Sequence, residues 1–298
     1  MLAAVQLRVV EVAAGGVPAV LPRAANLDLL LEGLTRVLRG LRDPVLATRP
    51  PPDATLAFGA RIPGTSCELQ PASAAAWLGM LMHVDRPAAV DVVAPALAVA
   101  DHLARRAPYE GFEAPRIADL CGVLERAAAL HVALAQDPRC GTDPWLASRV
   151  AGTWAAALLL GADESQWRDA VRCAALDDAS AADIAPLFAM HPAMRLDTDS
   201  HTDAGATVCR RAAGENAARA VRHARAACGE AAPTAPAVGT TARRALQPAA
   251  AALNAEFAAA ARAALPERRV RPLLALFDDP SRLAALGVDA CIARLVCN

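Results

Sequence analysis

His83-Val84-Asp85-Arg86 is the tightest group of proton-moving and charge-holding side chains in this chain. Imidazole titrates near neutrality, and an adjacent carboxylate can fix its tautomer and raise its basicity, so His83 and Asp85 suit general acid or base work. The four residues follow a run with helical spacing, residues 72–82, which puts them at a helix C-terminus. A solvated helix cap carrying a His-Asp pair is the alternative reading. A second polar group lies between 177 and 203, where His191, His201, Asp197, Asp199 and Asp203 accumulate as periodicity fades. Two aspartates and a histidine that close together can suggest a metal site. The segment has no i, i+4 histidine pair and no evident fourth ligand, so it reads as a polar loop and no metal is expected. His201 is kept as a candidate contact for substrate. His102, His131 and His223 fall within helical stretches and read as partly exposed helix residues.

The composition narrows what such residues can serve. The chain has 298 residues, 30 basic and 31 acidic, for a net charge of −1. That balance supplies no field to attract nucleic acid, and a nucleic-acid partner is not expected. Every basic residue is arginine, so lysine Schiff-base chemistry is excluded. Hydrophobic residues make up 55% and aromatic residues 3%, which requires a core of alanine, leucine and valine in closely packed helices. Apolar runs such as 155–160 stop well short of the ~20 residues of a membrane span. The opening residues carry Arg8 and Glu11 inside an apolar stretch, without the basic start of a secretory signal, so the chain reads as cytoplasmic. Eight cysteines are spread without a Cys-x-x-Cys pair, which suggests neither a zinc ribbon nor a disulfide scaffold.

The elements that must position these residues are helical from about Asn26 onward. Asn26 or Asp28 can cap a helix to Leu41, whose Leu29, Leu30, Leu34, Val37, Leu38 and Leu41 form one apolar stripe. Residues 56–62 read as a short extended segment and one arm of a hairpin that ends by residue 70, with Pro63-Gly64 as the turn. Helices are expected at 72–82, 88–105, 114–136, 144–160, 165–174, 206–228, 248–265, 270–277 and 280–286. Arg219, Arg222 and Arg225 read as a solvated helix face. Residues 230–241, EAAPTAPAVGTT, have the composition of a linker. The expected fold is all-α, one compact multi-helix domain over residues 1–298.

The stretch 139–180 joins a proline-bearing loop to a small-residue helix ending in Leu-Leu-Gly and then, after Asp163, to a second helix. It resembles a recurrent segment of the MmgE/PrpD family, which includes 2-methylcitrate dehydratase and cis-aconitate decarboxylase. Residues 71–106, 214–228 and 246–296 resemble further helices of that family, in order. The resemblance implies the family's helical domain alone, because residues 230–241 are too short to hold the α/β lid inserted there. It aligns His83 and Asp85 with an active-site histidine and an Asp-rich turn. Where the family has His-Pro, this chain has Thr142-Asp143-Pro144, so Thr142 or Asp143 takes the histidine's place according to a one-residue shift. The family's lysine falls near Arg210, which keeps the charge but does not release a proton at neutral pH.

The resemblance therefore implies a lyase- or cyclase-like enzyme of specialised metabolism acting on a small anionic metabolite, with no cofactor. His83 or Asp85 would abstract a proton, Asp143 would help position the group, and Arg86 or Arg210 would bind the departing anion, with Thr142 and His201 as further contacts. Water would be excluded by a second copy of the chain or by a different partner, since the lid is missing. The opposing expectation is a non-catalytic helical subunit that has lost the family's active site and supports a partner enzyme. An unrelated helical protein that shares only alanine-rich patterns is a third.

Overall fold

The computed structural model describes residues 2–15, 24–43, 58–83, 87–140, 143, 145–177, 204–229 and 245–296. Among them the architecture is all-α, with 12 α-helices and only short strands. The buried side chains form one apolar cluster that runs from Val9 to Val296. In chain order the helices are α1 (Leu2–Gly15), α2 (Asp28–Gly40), α3 (Pro71–Met82), α4 (Val93–Glu110), α5 (Ile117–Gln136), α6 (Leu146–Leu159), α7 (Glu164–Leu176), α8 (Ala204–Cys228), α9 (Ala251–Ala264), α10 (Glu267–Phe277), α11 (Pro280–Ala285) and α12 (Val288–Leu295).

Two helices are apolar nearly all round and occupy the centre. In α3 every residue from Ala74 to Met82 is buried, and in α6 every residue from Leu146 to Ala157 is buried. Such helices must be covered on all sides. α8 lies along α3, α6 and α7, while α4 packs on α3, and α5 and α7 pack on α6. Small residues set these distances. A Cβ on Gly214 would stand 2.6 Å from the Ala76 carbonyl oxygen and 2.7 Å from Met80 Cγ, and one on Gly79 would stand 2.9 Å from the Ala213 oxygen. α3 and α8 thus cross with backbone nearly touching backbone, the packing that a chain poor in aromatics can achieve.

α2 buries the stripe Leu30, Leu31, Leu34, Val37 and Leu38, close to the one expected from its sequence. Its start is organised by Asn26, whose Oδ1 accepts the Asp28 N–H at 2.8 Å, and Asp28 Oδ1 in turn accepts the Ala250 N–H at 2.9 Å, tying α2 to the start of α9. α7 opens on a reciprocal cap between Asp163 and Gln166. The hairpin is present as β2 (Ala60–Arg61) and β3 (Glu68–Leu69), antiparallel, with Ala60 opposite Leu69. It is pinned to α4 by Arg61, whose Nη2 donates to Asp101 Oδ1 at 2.6 Å and to the Asp289 carbonyl at 2.6 Å.

Four elements were not expected. α1 buries Val9, Val12 and Ala13; α12 closes the chain; and β1 (Ala24–Asn26) pairs in parallel with β4 (Ala245–Gln247), joining segments far apart in sequence. The segment starting at Ala89 begins as a 3-10 turn, Ala89–Val92, before α4. The 230–241 linker lies outside the described residues, as does the polar stretch 178–203. No helix among the described residues is long and apolar enough to cross a membrane.

Candidate functional site

α3 ends at Met82, and His83 is its C-cap, with its N–H donated to the Gly79 carbonyl at 3.1 Å and its backbone already extended. The imidazole is only 2% exposed and packs against the Trp145 ring, 5.0 Å between centroids. It sits at the floor of a cleft of about 430 Å³, walled by α2, α3, α8 and α9. Arg36 and Arg39 of α2, Asp43 just beyond it, Arg210 of α8 and Glu256 of α9 line the same cleft. α2 and α3 approach closely beside it, because a Cβ on Gly40 would stand 2.6 Å from the Leu81 oxygen.

Each arginine in this cleft has a carboxylate beside it. Arg36 Nη2 meets Glu32 Oε1 at 2.6 Å, Arg39 Nη2 meets Glu256 Oε2 at 3.0 Å, and Arg210 Nη1 meets Asp43 Oδ2 at 2.6 Å. The lining is therefore balanced in charge. An entering anion gains from an arginine only what it takes from the resident carboxylate, so binding here exchanges partners within ion pairs.

Asp143 is held at the entrance to α6. Its Oδ1 accepts the Trp145 N–H at 2.8 Å, and its Oδ2 accepts from Arg149 Nη2 at 2.9 Å. Arg149, 1% exposed, also donates to the Ala174 carbonyl and to Asn216 Oδ1. Asp143 is thus an anchor for the turn that places Trp145 over His83, and it does not line the cleft. Of the candidates read from sequence, His83 and Arg210 are brought together, Asp143 reaches them through Trp145, and Asp85, Arg86, Thr142 and His201 lie outside the described residues. No group of three His, Cys, Asp or Glu side chains among the described residues is placed to hold a metal ion.

Three residues that the sequence did not single out form a second polar chain. His131 of α5 is buried, contrary to the partly exposed position expected, and its Nε2 lies 3.1 Å from Ser148 Oγ of α6. Ser148 donates to Asp91 Oδ2 at 3.2 Å, and the same oxygen accepts the Ala88 N–H at 2.8 Å. With its own proton given to Asp91, Ser148 is left to accept, which puts the His131 proton on Nε2. Burial is the main cause that lifts the Asp91 carboxyl to about 6; the Ala88 and Ser148 hydrogen bonds and the Arg36 charge oppose it, and Glu32 adds to it. Burial also lowers the His131 pKa, which favours the neutral ring. Arg36 and Glu32 belong to the cleft lining, so Asp91 feels the charges of the same cleft.

No protein-family model matches the chain, and no curated protein matches its sequence. What the site can do rests on its residues. The signal for the missed chain was faint: Asp91 stands three residues after Ala88, a spacing at which an acid caps a helix start, and His131 interrupts an apolar helix face. Arg219 departs from the expected solvated face. It is 4% exposed and bonds Glu215 Oε1 at 2.8 Å and Asp177 Oδ1 at 2.7 Å, while His223 Nε2 meets Asp177 Oδ2 at 2.8 Å.

Proposed function

We propose that this chain is a lyase- or cyclase-like enzyme of specialised metabolism that abstracts a proton from a small anionic substrate and expels a leaving group. The observation that carries the reading is that His83, nearly shielded from solvent, shares one cleft with Arg210. A shielded imidazole takes up a proton from carbon without competition from bulk water, and a guanidinium beside it steadies the departing anion. His83 is the base, with Asp85 next to it in the chain as the alternative. Arg210 holds the anion after exchanging Asp43 for it, and Arg86, Thr142 and His201 are further candidate contacts. Asp91, with a carboxyl poised near 6, is a second proton-holding group within electrostatic reach of the cleft. The MmgE/PrpD resemblance agrees with this chemistry, and a second copy of the chain or a partner would complete the cover.

A non-catalytic helical subunit is the second reading. It is favoured by the charge balance of the cleft, in which every arginine already has a carboxylate.

Hydrogen exchange separates the two without knowledge of the leaving group. The protein is incubated in heavy water with a panel of small di- and tricarboxylates, and loss of carbon-bound hydrogen is followed by proton NMR. Abstraction gives exchange at one position of one substrate, and His83→Gln, which keeps most of the side-chain volume, lowers it on the order of a hundredfold or more with an unchanged fold by circular dichroism. Exchange that persists in His83→Gln removes His83 as the base and leaves Asp85 as the alternative, whereas no exchange with any member of the panel, alone or with added partner, favours the scaffold.

A further inference from the structure

Many arginines on this molecule meet carboxylates, even at exposed positions: Arg105 with Glu68, Arg106 with Glu110, Arg168 with Glu164 and Arg172 with Asp169. A groove between α10 and α12 breaks the pattern. Its lining brings together Arg268, Arg269 and Arg294 over Pro272, Leu273, Ala290 and Ala293, with a volume of about 430 Å³ and no carboxylate in the lining. The sequence spacing explains the convergence. Residues 268, 269, 272 and 273 share one side of α10, and residues 290, 293 and 294 share one side of α12.

None of the three arginines forms an ion pair with a carboxylate among the described residues. Arg269 is held in place by donating to the carbonyls of Ala293 and Val296 at the end of α12. The nearest acids in the chain are used differently or stand aside: the Asp289 carboxylate folds back toward Gly287, at the start of α12, and Glu267 is outside the lining. Three like charges lining one groove, with no carboxylate in the lining to neutralise them, describe a place suited to an anion from outside.

We propose that the α10–α12 groove is a binding site for a small organic diphosphate, separate from the His83 cleft. A carboxylate brings one negative charge and two oxygens, enough for one guanidinium, whereas a diphosphate presents several oxygens and charge enough for three. The apolar floor of Pro272, Leu273, Ala290 and Ala293 takes the organic portion, and the volume falls in the small-molecule range. The two sites share no lining residue, so this one does not depend on the proton-abstraction reading.

The test is calorimetric titration of the whole protein with inorganic pyrophosphate, and with citrate as a carboxylate of comparable charge, at low and high sodium chloride. Saturable pyrophosphate binding is expected, tighter than citrate by about tenfold and weakened at high salt, where charges exposed to solvent are screened. Arg268→Glu alters a solvent-exposed side chain and leaves the fold intact; it and Arg268→Gln/Arg294→Gln should each cost at least about tenfold in affinity. The absence of saturable binding, citrate binding as tight as pyrophosphate, or affinity unchanged in both variants overturns the proposal.

Discussion

Replacing Asp91 with asparagine is expected to stabilise this protein near pH 8 and not near pH 4. The carboxyl is lifted from 3.8 to about 6, chiefly by burial. The folded chain therefore holds its proton more tightly than the unfolded chain. Its contribution to stability is intact below the unfolded value of 3.8 and is lost as pH rises through about 6. A shift of about 2 units, at about 1.4 kcal/mol each, puts the bias against the ionised group near 3 kcal/mol in alkaline solution. Asparagine removes the ionisation and still accepts the Ala88 N–H, but it gives up a charge-assisted bond from Ser148 worth about 1 kcal/mol. The expected net gain near pH 8 is about 1–2 kcal/mol, replaced by a small loss near pH 4, where aspartate is already protonated. Urea unfolding at the two pH values measures it as a midpoint shift at constant slope. A loss of similar size at both would show that Asp91 is a fixed structural acceptor, not a group whose charge is disfavoured, and would end its candidacy as a proton-holding residue.

Two further substitutions probe the frame around the cleft. Gly214→Ala gains up to about 1 kcal/mol of helix propensity, but its Cβ would meet the Ala76 oxygen at 2.6 Å, a backbone atom that cannot rotate aside, so overpacking of about 1–3 kcal/mol prevails and the melting temperature falls. Gly15→Ala, with nothing within 4 Å, is the matched control and should not lower it. Arg149→Leu removes donors to Ala174, Asn216 and Asp143 at once and should cost about 3–5 kcal/mol in chemical denaturation, with a changed Trp145 fluorescence in the folded state; a cost below about 1 kcal/mol would show that the network is not holding α6 to α7 and α8.

Helices with one wet face were readable from sequence because burial and periodicity coincide. α2 shows this, with Leu30, Leu34, Val37 and Leu38 on the stripe and all buried. α1 offered no such contrast, since only Gln6, Arg8 and Glu11 interrupt its apolar run, and its helical state is settled by Val9, Val12 and Ala13 meeting the core. The β1–β4 pair was beyond reach for a different reason: three residues cannot display alternation, and their partner lies over two hundred positions away. The site divides in the same way. His83 stood out through its place in the His83-Val84-Asp85-Arg86 group, and Glu215 and Arg219 stood at the i, i+4 spacing that announces an ion pair, although its burial did not follow from spacing alone. Asp91, Ser148 and His131 come from three different elements, so only packing makes them neighbours.

The absence of lysine gives these observations a common physical basis. A guanidinium has five donors in a fixed plane and can satisfy several acceptors from one buried position, as Arg149 does with a carbonyl, an amide and a carboxylate, and as Arg61 does with Asp101 and the Asp289 carbonyl. An ammonium on a flexible stem would leave some of those acceptors unmet. Many of these arginines are also matched by carboxylates, in a chain with 30 basic and 31 acidic residues. Counter-charge therefore distinguishes the two concave surfaces. In the His83 cleft the protein supplies it, so a ligand must compete with Glu32, Asp43 and Glu256, and selectivity rests on a molecule able to exchange for them. In the α10–α12 groove the lining supplies none, so affinity there should rise with the charge that the ligand brings.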